Sequence, residues 1–322
     1  MTGMPLSLHG FPLPKSVQEM SMNGDEPPPE FHAKDGSFGC IGSSDLSASV
    51  SGGLLSSSKD EQGKLRLALC SGGCFQAIGH GISNSFLNKV RGVAKQFFQL
   101  PQEEKQNYDL VVSEKQVLDW NTRLFLRVFP EHQRKLNLWP ANPDKFREVL
   151  HEYSIKQKQL VDLLFKAMAK SLALEENSFS DQFGDNPVMH VLGLKPHSDR
   201  SWITVFLQDE LVEGLQFVKD EKWITVPVIP HALVVNLGDQ MQIMSNGIFK
   251  SPVHRVVTNA DKLRISVAMF NEVEPEKEIG PVEGLIDEKR SRLYRNVKNY
   301  ASFNYECFQK GKVPLEEVKF HA

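Results

Sequence analysis

The stretch that decides the fold runs Ile203-Thr204-Val205-Phe206-Leu207, Leu215-Gln216-Phe217-Val218, Trp223-Ile224-Thr225-Val226-Pro227-Val228, Ala232-Leu233-Val234-Val235-Asn236, Gln240-Met241-Gln242-Ile243-Met244, Val253-His254-Arg255-Val256-Val257-Thr258 and Arg264-Ile265-Ser266-Val267-Ala268-Met269-Phe270. These runs are short and rich in β-branched residues, and Gly, Pro, Asn and Asp stand between them. That is the pattern of strands joined by turns. So many short strands in succession predict a mainly β core with flanking helices, built as a double-sheet jelly roll or a barrel.

Working outward, the chain before this stretch reads as helices. Cys74-Phe75-Gln76-Ala77-Ile78 is a short strand closed by Gly79-His80-Gly81. Ser83 caps a helix whose apolar residues Phe86, Leu87, Val90, Ala94 and Phe97 recur at three- and four-residue spacing. Leu100-Pro101 ends it, and Pro101 opens another helical turn through Glu103 and Glu104. Asn142-Pro143 starts a long amphipathic helix with Phe146, Val149, Leu150, Tyr153, Val161, Leu164, Phe165, Met168 and Leu172 on its apolar face. Such a stripe suits either a partner groove or the core, and core packing is the commoner use. Pro27-Pro28-Pro29 and the Ser/Gly-rich run from Ser43 to Ser58 cannot bury much surface. The expected organisation is an N-terminal extension over 1–62, a helix-rich region over 63–185, a jelly-roll core over 186–285, and a C-terminal helix and tail over 286–322.

Composition narrows the function classes. The chain has 322 residues, 40% of them hydrophobic and 24% charged, enough to bury a sizeable core. A net charge of -3 gives no field that attracts nucleic acid or an anionic membrane. The most apolar stretch, Trp223 to Leu237, is cut by Pro227, Pro230 and His231, so no membrane span is expected. Met1 to Pro14 has no basic start and an apolar run broken by Pro and His, which makes a poor signal peptide. Of the cysteines Cys40, Cys70, Cys74 and Cys307, the Cys70-x3-Cys74 pair has no second half-site at zinc-like spacing, so these read as small buried hydrophobes. A cytoplasmic protein is expected. Neither G-x-G-x-x-G nor G-x-x-x-x-G-K-[ST] occurs, so dinucleotide and P-loop readings have no support.

Chemistry concentrates in His197-Ser198-Asp199, His254 and Arg264-Ile265-Ser266. On a strand, residues two apart share a face, so His197 and Asp199 can point at one ion. Two histidines and a carboxylate hold one face of a non-haem Fe(II) and leave the other open to reactants. His254 taken alone reads equally as a satisfied core histidine or an exposed strand residue, and Arg264 alone as a surface arginine at a strand edge. Their order within one strand-rich segment favours the iron site. There, a forked guanidinium and the Ser266 hydroxyl can grip the distal carboxylate of a 2-oxo acid.

The chain resembles the plant Fe(II)/2-oxoglutarate-dependent dioxygenases, in the branch of codeine O-demethylase and senescence-related oxygenases. The matching stretches are Gly73 to Ile82, Leu194 to Ser201, Val212 to Gln216, Leu233 to Asp239 and Ser251 to Val257. The resemblance implies a double-stranded β-helix (jelly-roll) core like that of isopenicillin N synthase, with Fe(II) on His197, Asp199 and His254 and 2-oxoglutarate on Arg264 and Ser266. It implies ascorbate as reductant, O2 as co-substrate, a small aromatic metabolite as substrate, and a monomer. It also places a C-terminal helix, about Ser291 to Asn304, along one side of the substrate pocket. The reaction implied is hydroxylation or O-demethylation, with succinate and CO2 formed. Alternatives are an ascorbate-dependent oxidase of the same fold, or an impaired, truncated paralogue that only binds.

That last alternative rests on departures from the family pattern. Relatives carry an Asn-Tyr-Tyr-Pro-Pro-Cys-Pro-like strand whose Tyr helps bind 2-oxoglutarate. Here Asn186-Pro187-Val188-Met189-His190 runs directly into Val191-Leu192-Gly193, and a strand is expected to be missing. Asn107 to Val112 lacks a Gly-Tyr-Gly segment, and the first core strand is reduced to Ile41 to Leu46. Gly73 stands where Trp is common, and Trp202 where a small residue is common. Trp202 either fills vacated space or narrows the active site.

Overall fold

The computed structural model describes residues 40–41, 49–51, 59–105, 108, 124–182, 188–190, 197–257 and 262–320. In chain order the main elements are β1 (Cys40–Ile41), β2 (Ser49–Ser51), α1 (Lys59–Ser71), β3 (Cys74–Ile78), α2 (Asn84–Phe98), α3 (Gln102–Lys105), α4 (Phe146–Ser171), β4 (Val188–His190), β5 (Ile203–Leu207), β6 (Leu215–Lys219), β7 (Lys222–Thr225), β8 (Leu233–Leu237), α5 (Asp239–Met244), β9 (His254–Val256), β10 (Val267–Glu272), β11 (Glu278–Ile279), β12 (Val297–Lys298), α6 (Tyr300–Gln309) and α7 (Pro314–Glu317). A six-stranded sheet has the order β2-β3-β8-β5-β10-β4 and a four-stranded sheet the order β1-β7-β6-β9. Neighbours from β3 to β4 and from β7 to β9 are antiparallel, whereas β1 and β2 join in parallel. The core is therefore the expected pair of sheets.

Strand alternation gives the large sheet two unlike faces. Phe75, Ala77, Ile203, Val205, Leu207, Leu233, Val235, Leu237, Val267 and Met269 share a core with α1, α2 and α4. Cys74, Phe206, Val234 and Ala268 face the other way, against Leu215, Phe217 and Val226 of the small-sheet side. The apolar face expected for the long helix is buried as a whole, with Leu172 just beyond its last turn. Ser83 caps α2 by accepting the Phe86 N–H.

The structure corrects several expectations. Gln240–Met244, read as a strand, is the helix α5, and its buried residues include Gln240, Met241, Ile243 and Met244. A run this short has the same apolar content in either conformation, so periodicity does not separate them. Local bonding does: Met241 N–H reaches back to Gly238 O and Ser245 N–H to Met241 O. Arg264 to Ser266 lie before β10 rather than in it. The C-terminal helix begins at Tyr300, because Val297–Lys298 pair with β11 and Asn299 adopts a left-handed φ of 51°. The sheet edge expected to lack a strand has a short one. β4 pairs antiparallel with β10, Val188 opposite Glu272 and His190 opposite Phe270. Val191-Leu192-Gly193, the segment before Ser113 and most of Ile41 to Leu46 lie outside the described residues.

Trp202 is fully buried and stacks on Phe165 of α4, with ring centroids 3.4 Å apart and planes 15° apart. It fills space between the large sheet and its helix and does not narrow the interior between the sheets. Gly73 adopts φ +66°, and a Cβ there would lie 2.1 Å from Lys250 O, so no side chain fits this turn.

Candidate metal centre

His197 and His254 are brought together by backbone. They form an antiparallel bridge in which each N–H donates to the other's carbonyl at 2.9 Å. Asp199 follows in the loop leading to β5. Its Oδ1 lies 3.2 Å from His197 Nε2 and 3.6 Å from His254 Nε2. One possible donor atom from each of the three residues lies within 4.8 Å of the others, and among the described residues this is the one such group of three. Asp199 and His254 are buried, and His197 is partly exposed.

The other carboxylate oxygen is already used. Asp199 Oδ2 accepts from Thr204 Oγ1 at 2.6 Å and from Asn236 Nδ2 at 2.8 Å. Both donors stand on the inward face of the large sheet, opposite one another on β5 and β8. Oδ1 is thus held toward the two imidazoles. His254 Nδ1–H donates to Pro252 O at 3.2 Å, which leaves the Nε2 lone pair facing Asp199. Burial would by itself raise the Asp199 pKa, but the neighbouring His254 and the bonds from His197 and Thr204 hold it well below the ordinary carboxylate range. Burial lowers the His254 pKa against the pull of Asp199, favouring a neutral imidazole. An ionised carboxylate and a neutral imidazole are the forms that bind a metal.

The loop carrying Asp199 packs on the turn after β8. Asp239 N–H donates to Asp199 O at 2.8 Å, and Gly238 N–H to Trp202 O at 2.9 Å. A Cβ on Gly238 would come within 2.0 Å of Ser201 O and 2.6 Å of Asp199 O, so glycine is required for the approach. Asp239 itself is fully buried. Burial pushes its carboxyl up to about 6, against hydrogen bonds from Ser251, Tyr300 and Ser198 that favour the charged form.

Arg264 enters the interior over the Phe206 ring, 5.6 Å from its centroid. Its Nη1 donates to Ser266 Oγ at 3.4 Å, while its buried Nε and Nη2 have no hydrogen-bond partner among the described residues. Burial lowers its pKa and Asp209 opposes the shift; a guanidinium nonetheless keeps its proton. Gly214 makes room for it, since a Cβ there would lie 3.0 Å from Arg264 Cδ. A buried cation with open donors is costly unless an anion meets it. The arrangement therefore fits a carboxylate ligand, as the three-residue group fits a divalent metal.

The residues that orient these five are not marked in the sequence. Thr204 and Asn236 were legible only as polar breaks in apolar strands. Gln208 continues the inward row of β5 beyond Phe206, where the register of Val267 with Leu207 sets it across from Ser266. It is buried with Oε1 unpartnered. Cys74, on the same inner face, is a buried thiol pushed up to about 12 by desolvation, and among the described residues it belongs to no group of three or more potential metal ligands.

Residues 175–273 match the 2OG-Fe(II) oxygenase superfamily, and residues 43–142 match the family described as non-haem dioxygenase in morphine synthesis N-terminal. Codeine O-demethylase of Papaver somniferum is 37% identical over 264 residues, covering 74% of this chain and 73% of that protein. Flavonol synthase/flavanone 3-hydroxylase of Eustoma exaltatum subsp. russellianum is 34% identical over 261 residues, 72% of this chain and 78% of that one. The crystal structure of JOX2 in complex with 2OG, Fe and JA superposes with a TM-score of 0.83 at 29% identity, covering 96% of this chain and 98% of that chain. Similarity of this extent, in sequence and in fold together, places the chain in one family: it belongs to the 2OG-Fe(II) oxygenase superfamily.

Proposed function

We propose that the protein is an Fe(II)- and 2-oxoglutarate-dependent oxygenase that hydroxylates or O-demethylates a small aromatic plant metabolite, an alkaloid, flavonoid or similar compound. His197, Asp199 and His254 would hold the iron. Arg264 and Ser266 would hold the distal carboxylate of 2-oxoglutarate, and ascorbate would keep the iron reduced. The observation that carries this reading is the division of labour on Asp199, with one oxygen toward both imidazoles and the other fixed by Thr204 and Asn236.

Bound iron and 2-oxoglutarate supply the oxidising chemistry, consuming O2 and releasing succinate and CO2 while oxygen is delivered to a substrate carbon. The chain's own residues bind and orient. Thr204, beside Asp199, and Phe206, beneath Arg264, are two residues apart on β5. That step is about 7 Å along a strand, the scale of a five-carbon dicarboxylate. Phe206 and Phe217 line the interior, and the Phe217 ring lies 5.1 Å from that of His254. This wall excludes water and offers an aromatic surface to a flat substrate. An O-methyl group hydroxylated there would leave as formaldehyde. The names of the two plant relatives, a codeine O-demethylase and a flavonol synthase/flavanone 3-hydroxylase, support that substrate class.

The test is a panel of methylated and unmethylated aromatic alkaloids and flavonoids, incubated with protein, Fe(II), 2-oxoglutarate and ascorbate. The expected result is substrate-dependent succinate formation matched by a product that has gained oxygen or lost a methyl group. Turnover that needs ascorbate but no 2-oxoglutarate would support the oxidase alternative instead. No turnover with any member would remove the proposed substrate class.

A further inference from the structure

Asp239 does not belong to the His-Asp-His group, yet it touches every segment that builds it. Its N–H donates to Asp199 O at 2.8 Å. Its Oδ1 accepts from Ser251 Oγ at 2.8 Å and its Oδ2 from Tyr300 Oη at 3.0 Å. Ser251 precedes Pro252, whose carbonyl accepts from His254 Nδ1. Tyr300 is the first residue of α6. A second clasp runs parallel: Gln242, also on α5, accepts from the Ser251 N–H at 2.6 Å through Oε1 and donates to Tyr294 Oη at 2.9 Å. One short helix after β8 therefore clasps the His197–Asp199 loop, the approach to His254 and the C-terminal segment.

We propose that Asp239 is a positioning residue for the metal centre, fixing the spacing of the two ligand-bearing segments and coupling that spacing, through the Tyr300 hydroxyl, to the seating of α6. The proposal rests on His197, Asp199 and His254 being the metal ligands. A carboxylate suits the task because both its oxygens accept, so two hydroxyls on separate segments are drawn to one point. Asparagine offers one acceptor and one donor, and one of the two hydroxyls would have to turn round. Coupling of this kind is reciprocal. If the Tyr300 bond steadies the ligands, occupancy by a metal must steady α6.

The test uses the whole chain, with Asp239→Asn, Tyr300→Phe and His197→Ala compared to wild type. Anaerobic competition gives the Fe(II) affinity, and hydrogen exchange of residues 300–309 is followed with and without Fe(II). Groups that orient ligands typically contribute 10–100-fold in metal affinity. Asp239→Asn is therefore expected to bind Fe(II) about 10–100-fold more weakly. Tyr300→Phe keeps its ring packing and is expected to bind severalfold more weakly. Wild-type α6 should gain protection on binding Fe(II), and Tyr300→Phe should lose that gain. Should Asp239→Asn fail to fold, the Tyr300 variant alone decides. Wild-type affinity in Tyr300→Phe with an unchanged gain in protection would overturn the coupling, although His197→Ala had lost binding as the ligand assignment requires. Wild-type protein that bound no Fe(II) would overturn the ligand assignment and this inference together.

Discussion

Asp199 shows what the fold asks of a single residue. One oxygen is aimed at two imidazoles because the other is pinned by Thr204 and Asn236 on neighbouring strands. Replacing Thr204 with Val keeps the volume and removes the donor. The expected outcome is a roughly 10–100-fold weaker Fe(II) affinity; equal affinity by anaerobic competition would mean that the pinning is irrelevant. Cys74 offers a separate check on the interior. Its thiol is buried on the inner face and pushed up to about 12. Little of the thiolate, the form that reacts, forms there near neutral pH. Cys74 should resist a thiol reagent in native protein and react on unfolding, as mass mapping of the labelled cysteines would show. His197, Asp199, His254, Arg264 and Ser266 were legible in the sequence as residue types that bind metal or carboxylate, standing in one order within a strand-rich segment. Thr204 and Asn236 were not, because a small polar residue in a strand looks the same whether it faces solvent or a carboxylate.

At the scale of elements, short β-branched runs bounded by turn residues identified most strands, and three- and four-residue spacing identified α2 and α4. The failures have local causes. α5 is six residues long and buries polar Asp239 and Gln240 along with its apolar residues, so it lacks the apolar-in, polar-out stripe by which a helix is read. The start of α6 is set by the β11–β12 pairing and by the left-handed Asn299, neither of which changes the apolar pattern. β4 is only three residues long, too short to stand out, yet it pairs the backbone of β10 along the sheet edge. Trp202 could be noticed but not placed, since its contact with Phe165 joins segments far apart in the chain. Its role predicts a cost. Trp202→Ala opens a cavity between the large sheet and α4 and should destabilise the protein by about 3–5 kcal/mol. Denaturant unfolding would measure this, and a loss below about 1 kcal/mol would mean that the stacked pair does not anchor the helix.

For the whole molecule, two sheets of unlike character enclose one interior. The large sheet gives its outer face to helices and its inner face to Thr204, Phe206 and Asn236, while the small sheet contributes Phe217 and His254. The His197–His254 bridge ties the loop before the large sheet to a strand of the small one, so assembling the site depends on closing the jelly roll. Three of the departures from the family pattern have a place in this frame: Val188–His190 pairs the sheet edge as β4, Gly73 fits a turn that admits no side chain, and Trp202 fills the outer core, while the others fall outside the described residues. This enclosed site is expected to bind iron and a 2-oxo acid together. The most direct measurement is the anaerobic visible absorbance of purified protein with Fe(II), before and after 2-oxoglutarate is added, with His197→Ala and Arg264→Ala beside it. A weak charge-transfer band is expected in wild type on adding 2-oxoglutarate, absent from His197→Ala and needing far more 2-oxoglutarate in Arg264→Ala. Folded wild-type protein that binds Fe(II) and shows no band at saturating 2-oxoglutarate would contradict this expectation.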